Sequence, residues 1–200
     1  MTKNVLITGI TGQDGAYLAN YLSKSGYKVF GGYRRSSTVN DWRLKTLKIE
    51  DKIEFVEFDL LEFSNILRTI ERVEPIMVFN LAAQSFVSTS FEQPIITSDI
   101  NALGTIRILD AIKTINKNIK FYQASTSEMF GLAQEKVQNE NTPFYPRSPY
   151  GVSKLFAHWA AINYRESYNM FVCSGILFNH ESPLRGNEFV TKKIVSNLTK

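Results

Sequence analysis

The sequence predicts an α/β fold, a doubly wound parallel sheet with helices on both faces. Three observations carry that expectation. Short runs rich in Val, Ile, Phe and Tyr alternate with stretches of helical periodicity. Several of the runs are apolar at consecutive positions, as strands covered on both faces must be. The first run leads straight into a glycine-rich turn and a helical pattern.

The elements follow in order. Residues 4–8 form the first strand, and residues 13–25 a helix with Tyr17, Leu18, Tyr21 and Leu22 on one stripe. Residues 28–32 and 53–58 are strands. Residues 64–73 bring Ile66, Leu67 and Ile70 together as a helix. The strand over 77–81 precedes a helix over 100–115 that carries Leu103, Ile106, Ile108, Leu109 and Ile112. A strand over 120–124 follows. Residues 132–149 lack a period and carry Pro143, Pro146 and Pro149, which predicts a long loop of the kind that often bears function. Residues 149–168 are helical, with proline tolerated in the first turn. Residues 171–178 form the last strand, and 192–200 a further helical pattern. Right-handed crossovers between parallel strands then favour the doubly wound arrangement.

Composition narrows the class. The 200 residues are 44% hydrophobic and 21% charged, ordinary globular usage that excludes disordered and fibrous chains. No apolar run is long enough to span a bilayer, and no secretory leader pattern opens the chain, so a cytoplasmic protein is expected. A single cysteine, Cys173, excludes an internal disulfide and a multi-cysteine metal site. Its apolar strand predicts a buried thiol. His158 is expected to pack rather than to bind a metal, and no metal site is expected.

The net charge is +4. Between Tyr33 and Lys52, Arg34, Arg35, Arg43, Lys45, Lys48 and Lys52 stand against Asp41, Glu50 and Asp51. No aromatic interleaving or long basic stripe accompanies them. The stretch is a solvated helix face or a local phosphate site, not a nucleic-acid surface.

Gly9, Gly12 and Gly15 in Gly9-Ile10-Thr11-Gly12-Gln13-Asp14-Gly15 give G-x-x-G-x-x-G between a strand and a helix. Glycine allows a tight turn and close backbone approach to a pyrophosphate, and the helix N-terminus offers free N–H groups. This is the Rossmann-type logic of a dinucleotide site; a plain βα turn is the bland alternative. After the second strand comes Tyr33-Arg34-Arg35-Ser36, with no acid to take a ribose 2′-hydroxyl. Guanidinium groups match a 2′-phosphate, so NADP is expected, with Arg34, Arg35 and Ser36 around it.

Tyr150 and Lys154 lie four residues apart, on one face of a helix. A phenol needs help to act as a base at neutral pH, and a nearby ammonium supplies it. The fifth strand ends in Ser125-Thr126-Ser127-Glu128, at the sheet edge where ligands bind. Helix capping competes as a role for Ser125 and Ser127.

The cradle with Tyr150 and Lys154 resembles the extended short-chain dehydrogenase/reductases that act on nucleotide sugars. Residues 80–85 (NLAAQS), 123–131 (QASTSEMFG), 142–150 (TPFYPRSPY) and 175–183 (GILFNHESP) are similar to the GDP-mannose 4,6-dehydratase family. The resemblance implies a lyase that turns GDP-D-mannose into GDP-4-dehydro-6-deoxy-D-mannose and water, with NADP as a recycled hydride carrier. It implies catalytic roles for Thr126, Glu128 and Tyr150, with Lys154 in support. It implies cofactor contacts from Gly9, Ile10, Thr11, Gly12, Gln13, Asp14 and Gly15. Asp59, Leu60, Leu81, Ala82, Ala83, Gln84, Ser85, Lys154, His180 and Arg185 join them. Substrate contacts are implied for Ser85, Thr126, Asn179 and Arg185. The arginine-bearing loop resembles one that joins subunits, which implies a homo-oligomer, a tetramer or dimer.

Three departures stand out. Many family members carry arginine where this chain has Leu184, and tyrosine where it has Ile96. Members also run well beyond 200 residues. The chain is therefore expected to be an N-terminal fragment, with a dinucleotide domain over 1–178 and the start of a substrate domain over 179–200. Two competing readings stay open: a nucleotide-sugar epimerase or reductase of the same fold, and a non-catalytic dinucleotide-binding module.

Overall fold

A computed structural model describes residues 3–38 and 40–198. The last two residues of the helical pattern predicted over 192–200 lie outside the described residues. Six parallel strands form one sheet: β1 (Asn4–Thr8), β2 (Lys28–Tyr33), β3 (Ile53–Glu57), β4 (Met77–Asn80), β5 (Lys120–Thr126) and β6 (Val172–Leu177). Their order is β3-β2-β1-β4-β5-β6. The chain reverses direction across the sheet between β1 and β4, and that switch opens a crevice at the strands' C-terminal ends. Register places Thr8 beside both Gly32 and Asn80, and Asn80 beside Gln123.

Alternation along β1 explains the two layers. Leu6 faces a core made with α3 (Phe63–Val73), α6 (Gly104–Asn116) and α7 (Pro149–Tyr168), through Ile66, Ile70, Ile108, Ile112 and Ala161. Val5 and Ile7 face the opposite core, closed by Ala16, Ala19 and Leu22 of α1 (Gln13–Lys24) and Leu44 of α2 (Trp42–Thr46). Burial on both faces is why strand residues are apolar in succession.

The structure also holds elements that periodicity does not show. Helix α2 falls in the basic stretch after β2. Helices α4 (Val87–Glu92) and α5 (Pro94–Ser98) precede a π-helical stretch, Asp99–Leu103, that runs into α6. The helix predicted over 100–115 is thus the second half of a longer, bulged one. Cys173 corrects an expectation: β6 is the sheet's edge strand, and the thiol is exposed rather than buried. Among the described residues, no helix is long and apolar enough to cross a membrane, and no cluster of metal-ligating side chains occurs.

Candidate active site

The cradle forms where β1 ends. Thr8 Oγ1 donates to Asn80 Oδ1 (2.8 Å) and accepts the N–H groups of Leu81 and Ala82 (3.1 Å each), which ties the β1 turn to the loop after β4. Gly9 has φ of +69°, and a Cβ there would lie 2.8 Å from Ala82 N. A Cβ on Gly15 would lie 2.5 Å from Gly9 O, so α1 can approach the turn only with glycine at that position. Gly12 caps α1 without any side-chain hydrogen bond, which leaves first-turn N–H groups and the positive end of the helix dipole facing the crevice. A pyrophosphate fits this arrangement.

The other predicted dinucleotide contacts ring the same edge. Arg34, Arg35 and Ser36 follow β2 and are exposed; Arg35 Nε lies 3.7 Å from Glu57 Oε1. Asp59 and Leu60 follow β3; the Asp59 carboxylate accepts Leu61 N (3.0 Å), and Leu60 is buried. Leu81, Ala82, Ala83 and Gln84 are half-buried after β4, and Ser85 is exposed.

Beside this ring, α7 brings up its own pair. Ser148 accepts Gly151 N (3.0 Å) as N-cap, and Pro149 opens the first turn, which fixes Tyr150 at the helix start. A Cβ at Gly151 would sit 2.8 Å from Glu128 O, so glycine lets α7 press against the end of β5. Thr126 Oγ1 accepts Glu128 N (3.2 Å), which caps the turn that carries the carboxylate. Burial pushes the Tyr150 phenol up; a hydrogen bond with Thr126 pulls it down and the charge of Glu128 raises it. Thr126 and Glu128 at the end of β5 thus both act on the Tyr150 phenol at the start of α7.

Lys154 is fully buried one turn along, and desolvation lowers it from 10.5 to about 8. Below pH 8 both folded and unfolded chains hold this proton, and the folded state carries the full cost of burying the charge. That cost is relieved as pH rises from about 8 to 10.5, where only the unfolded chain stays protonated. Lys154→Met is expected to stabilise the ligand-free protein at pH 7 by on the order of 2–3 kcal/mol. It should also flatten the rise in stability over that pH range, while impairing activity. Denaturant titrations at several pH values check this.

After β6 the chain folds back over the cradle as a strap. His180 Nε2 meets Asp14 Oδ1 at 2.7 Å, and Nδ1 meets Phe178 O at 2.7 Å. The Phe178 carbonyl first, then Asp14, raises the imidazole above its ordinary value. Gln13 Nε2 donates to His180 O (3.3 Å), and Ser182 Oγ donates to Gln13 Oε1 (2.7 Å). Asn179 is exposed. Arg185 stacks over Phe189, 3.7 Å from the ring centroid, and its buried Nε makes no hydrogen bond but lies 3.5 Å from Glu181 Oε1. Leu184 is 2% exposed and sits in the core on the α1 side of the sheet, so this position is a packing one here. Ile96 is half-buried on α5.

Two side chains complete the site unannounced by motif. Asn101 is buried in the π-helical stretch; its Oδ1 accepts Gln84 N (2.9 Å), and its Nδ2 donates to Gln84 O (3.0 Å) and Ser153 Oγ (3.1 Å). A lone amide in an apolar helical pattern was the only sequence signal for it. His158 Nδ1 lies 3.0 Å from Ser125 Oγ, which gives the predicted packing histidine a polar partner on β5.

It is this convergence, rather than any motif alone, that puts the chain in the class of extended short-chain dehydrogenase/reductases. A model of the GDP-mannose 4,6 dehydratase family matches residues 6–200. GDP-mannose 4,6-dehydratases from Vibrio cholerae and Homo sapiens are 52% and 50% identical to it, each over 99% of this chain. Among solved structures, a dTDP-glucose 4,6-dehydratase from Bacillus anthracis in complex with NAD superposes with a TM-score of 0.82 at 25% identity, over 99% of this chain and 62% of that one. A UDP-glucose 4-epimerase from Brucella ovis in complex with NAD gives 0.74 at 27% identity, over 84% of this chain and 50% of that one. The chain belongs to the GDP-mannose 4,6-dehydratase family. It spans about half the length of the curated relatives it matches, 55% and 56% for the two named.

Proposed function

We propose that the protein containing this chain is a GDP-mannose 4,6-dehydratase, forming GDP-4-dehydro-6-deoxy-D-mannose and water. The observation that carries the reading is Glu128 at the end of β5, where α7 presses on it at Gly151 and its charge raises the Tyr150 phenol. Epimerases and reductases of this fold have no hydroxyl to eliminate and need no such carboxylate. A passive dinucleotide module needs neither Glu128 nor the Tyr150–Lys154 pair.

The cradle fits a nicotinamide dinucleotide: Gly9 and Gly15 let the turn, the loop after β4 and α1 approach more closely than any Cβ would allow, and the helix end there carries no side-chain cap. Gly9 to Gly15 would hold the pyrophosphate, Asp59 and Leu60 the adenine side, Leu81 to Ser85 and Lys154 the nicotinamide side, and His180 the outer face. When bound, the dinucleotide supplies hydride acceptance at C4 and hydride return at C6. Tyr150 takes the O4 proton, and Thr126 hydrogen-bonds O4 as charge develops there. Once C4 is a ketone, the C5 proton is acidic. Glu128 removes it and passes a proton to the departing C6 hydroxyl, serving as base and then acid. Arg185, Asn179 and Ser85 suit the nucleotide-sugar side.

The experiment that tests this is turnover of GDP-mannose by the full chain with product NMR. Deuterium at C4 of the substrate should be recovered at C6 of the product, with no net reduced cofactor. Loss of the label, or one reduced cofactor per sugar, would favour the oxidoreductase reading.

NADP rather than NAD is supported by the exposed Arg34, Arg35 and Ser36 just after β2, a stretch that contains no acidic residue. Arg35→Glu is expected to weaken NADP by about tenfold or more and NAD little, by calorimetry. Equal losses would overturn the 2′-phosphate assignment. We assign residues 1–178 to the dinucleotide domain and 179–200 to the start of the substrate domain. Residues 1–200 alone should then bind NADP without turning over GDP-mannose.

We assign a cytoplasmic location and self-association. Val152, Phe156 and Trp159 form an exposed apolar stripe on α7 beside Phe91 and Ile95 of α4 and α5, a surface suited to a second copy. Sedimentation of the full chain checks the homo-oligomer.

A further inference from the structure

We propose that Arg43 is a positioning residue that ties the phosphate cradle to the strap after β6, so that one guanidinium orders the dinucleotide site and the substrate-diphosphate side together. This rests on the function proposed above. Arg43 Nη1 donates to Thr11 O (2.9 Å) in the cradle, and its Nε donates to Leu184 O (2.8 Å) in the strap. These carbonyls lie 32 and 141 residues from Arg43 in sequence, and no other described side chain bonds to the backbone of both segments through the same group.

Each contact fixes a peptide plane from one side, and another bond fixes it from the other. The Thr11–Gly12 peptide has its carbonyl on Arg43 and its N–H on Gly9 O (2.9 Å). The Leu184–Arg185 peptide has its carbonyl on Arg43 and its N–H on Ser182 O (3.0 Å). The first plane belongs to the turn that leads into α1. The second carries Arg185, whose buried Nε makes no hydrogen bond and lies 3.5 Å from Glu181 Oε1. Leu184 is driven into the core beside Leu44 of α2, so the strap is held down by packing next to the very helix that bears Arg43.

The half-buried guanidinium suits this work. Its planar fork donates in two directions at once, which a lysine ammonium on a flexible stem does poorly. It stacks on Trp42, 4.5 Å from the ring centroid, which restricts its orientation. The remaining strap ties, Ser182 Oγ and His180 O to the Gln13 side chain and the His180 ring to Asp14, all land on the first turn of α1 and do not touch Thr11.

The test uses the full chain, with NADP affinity by calorimetry and GDP-mannose kinetics. Arg43→Ala should raise the NADP Kd and the GDP-mannose KM each by about tenfold or more, since two charge-assisted bonds are lost. At saturating ligands kcat should stay within about threefold, because no group that touches the reacting atoms has changed. Millimolar guanidinium should restore NADP affinity to Arg43→Ala, and ammonium should not; Arg43→Lys should fall between. Unchanged NADP affinity, no rescue, a rise in only one of the two constants, or a fall in kcat alone would overturn the proposal. If Arg43→Ala does not fold, Arg43→Lys carries the test, and unaltered values for both ligands overturn it. If the unsubstituted protein binds NADP yet leaves GDP-mannose untouched, the dehydratase reading fails. NADP affinity and guanidinium rescue then decide the clasp by themselves.

Discussion

Glu128→Gln is expected to leave oxidation at C4 possible and to abolish loss of water, with turnover down by about a thousandfold or more. The amide keeps the size and most of the hydrogen-bonding shape of the carboxylate. It can neither take the C5 proton nor hand one to the C6 hydroxyl. Thr126 caps the turn through the Glu128 main-chain N–H, which the substitution does not touch, so the fold should be preserved. The signature is a divided outcome in D2O: the unaltered protein should place solvent deuterium at C5 of the product, and the variant should form no 6-deoxy sugar at all. A variant that still releases deoxysugar at near-normal rates would remove Glu128 from the chemistry.

Tyr150→Phe is expected to stop the reaction one step earlier, also by about a thousandfold or more, because the O4 proton then has no acceptor when the C4 hydride leaves. The two variants differ in what accumulates. Glu128→Gln should show cofactor reduction on mixing with substrate, followed at 340 nm in a stopped-flow instrument, whereas Tyr150→Phe should show none. Burial raises the Tyr150 phenol, and the nearby Glu128 charge raises it further. Removing that charge should therefore ease ionisation of Tyr150, so the reduction seen in Glu128→Gln should persist to lower pH than in the unaltered protein. Lys154, lowered to about 8, would lose its positive charge within the same working range. If both variants fail to reduce the cofactor, the division of labour between the tyrosine and the glutamate is wrong.

Much of the fold is legible in the sequence. The strand over residues 4–8, the helix Pro149–Tyr168 and the sheet's parallel character follow from local composition and period, and the structure shows them there. The glycine cradle was legible for the same reason, since strand, turn and helix are contiguous. Helix α2 was not: only Leu44 of its five residues is buried, too short a signal to separate from a charged loop. The helix predicted over 100–115 missed its leading turns because a π-helical insertion at Asp99–Leu103 shifts the phase of the apolar stripe.

By itself, the sequence determined the layers of this protein, the position of its glycine-rich turn, and the placing of Thr126 and Glu128 at the end of β5 and of Tyr150 and Lys154 on one helix face. Those features depend on neighbours a few residues apart, where periodicity and turn chemistry act directly. Only the tertiary structure decided what lies against what. It made β6 an edge and exposed Cys173, sent Leu184 into the core, and set Asn101 between Gln84 and Ser153. It also brought Arg43 onto carbonyls of both the cradle and the strap. Such contacts join segments tens to more than a hundred residues apart. They are fixed by how helices and strands pack around a shared core, and no local pattern of side chains encodes them.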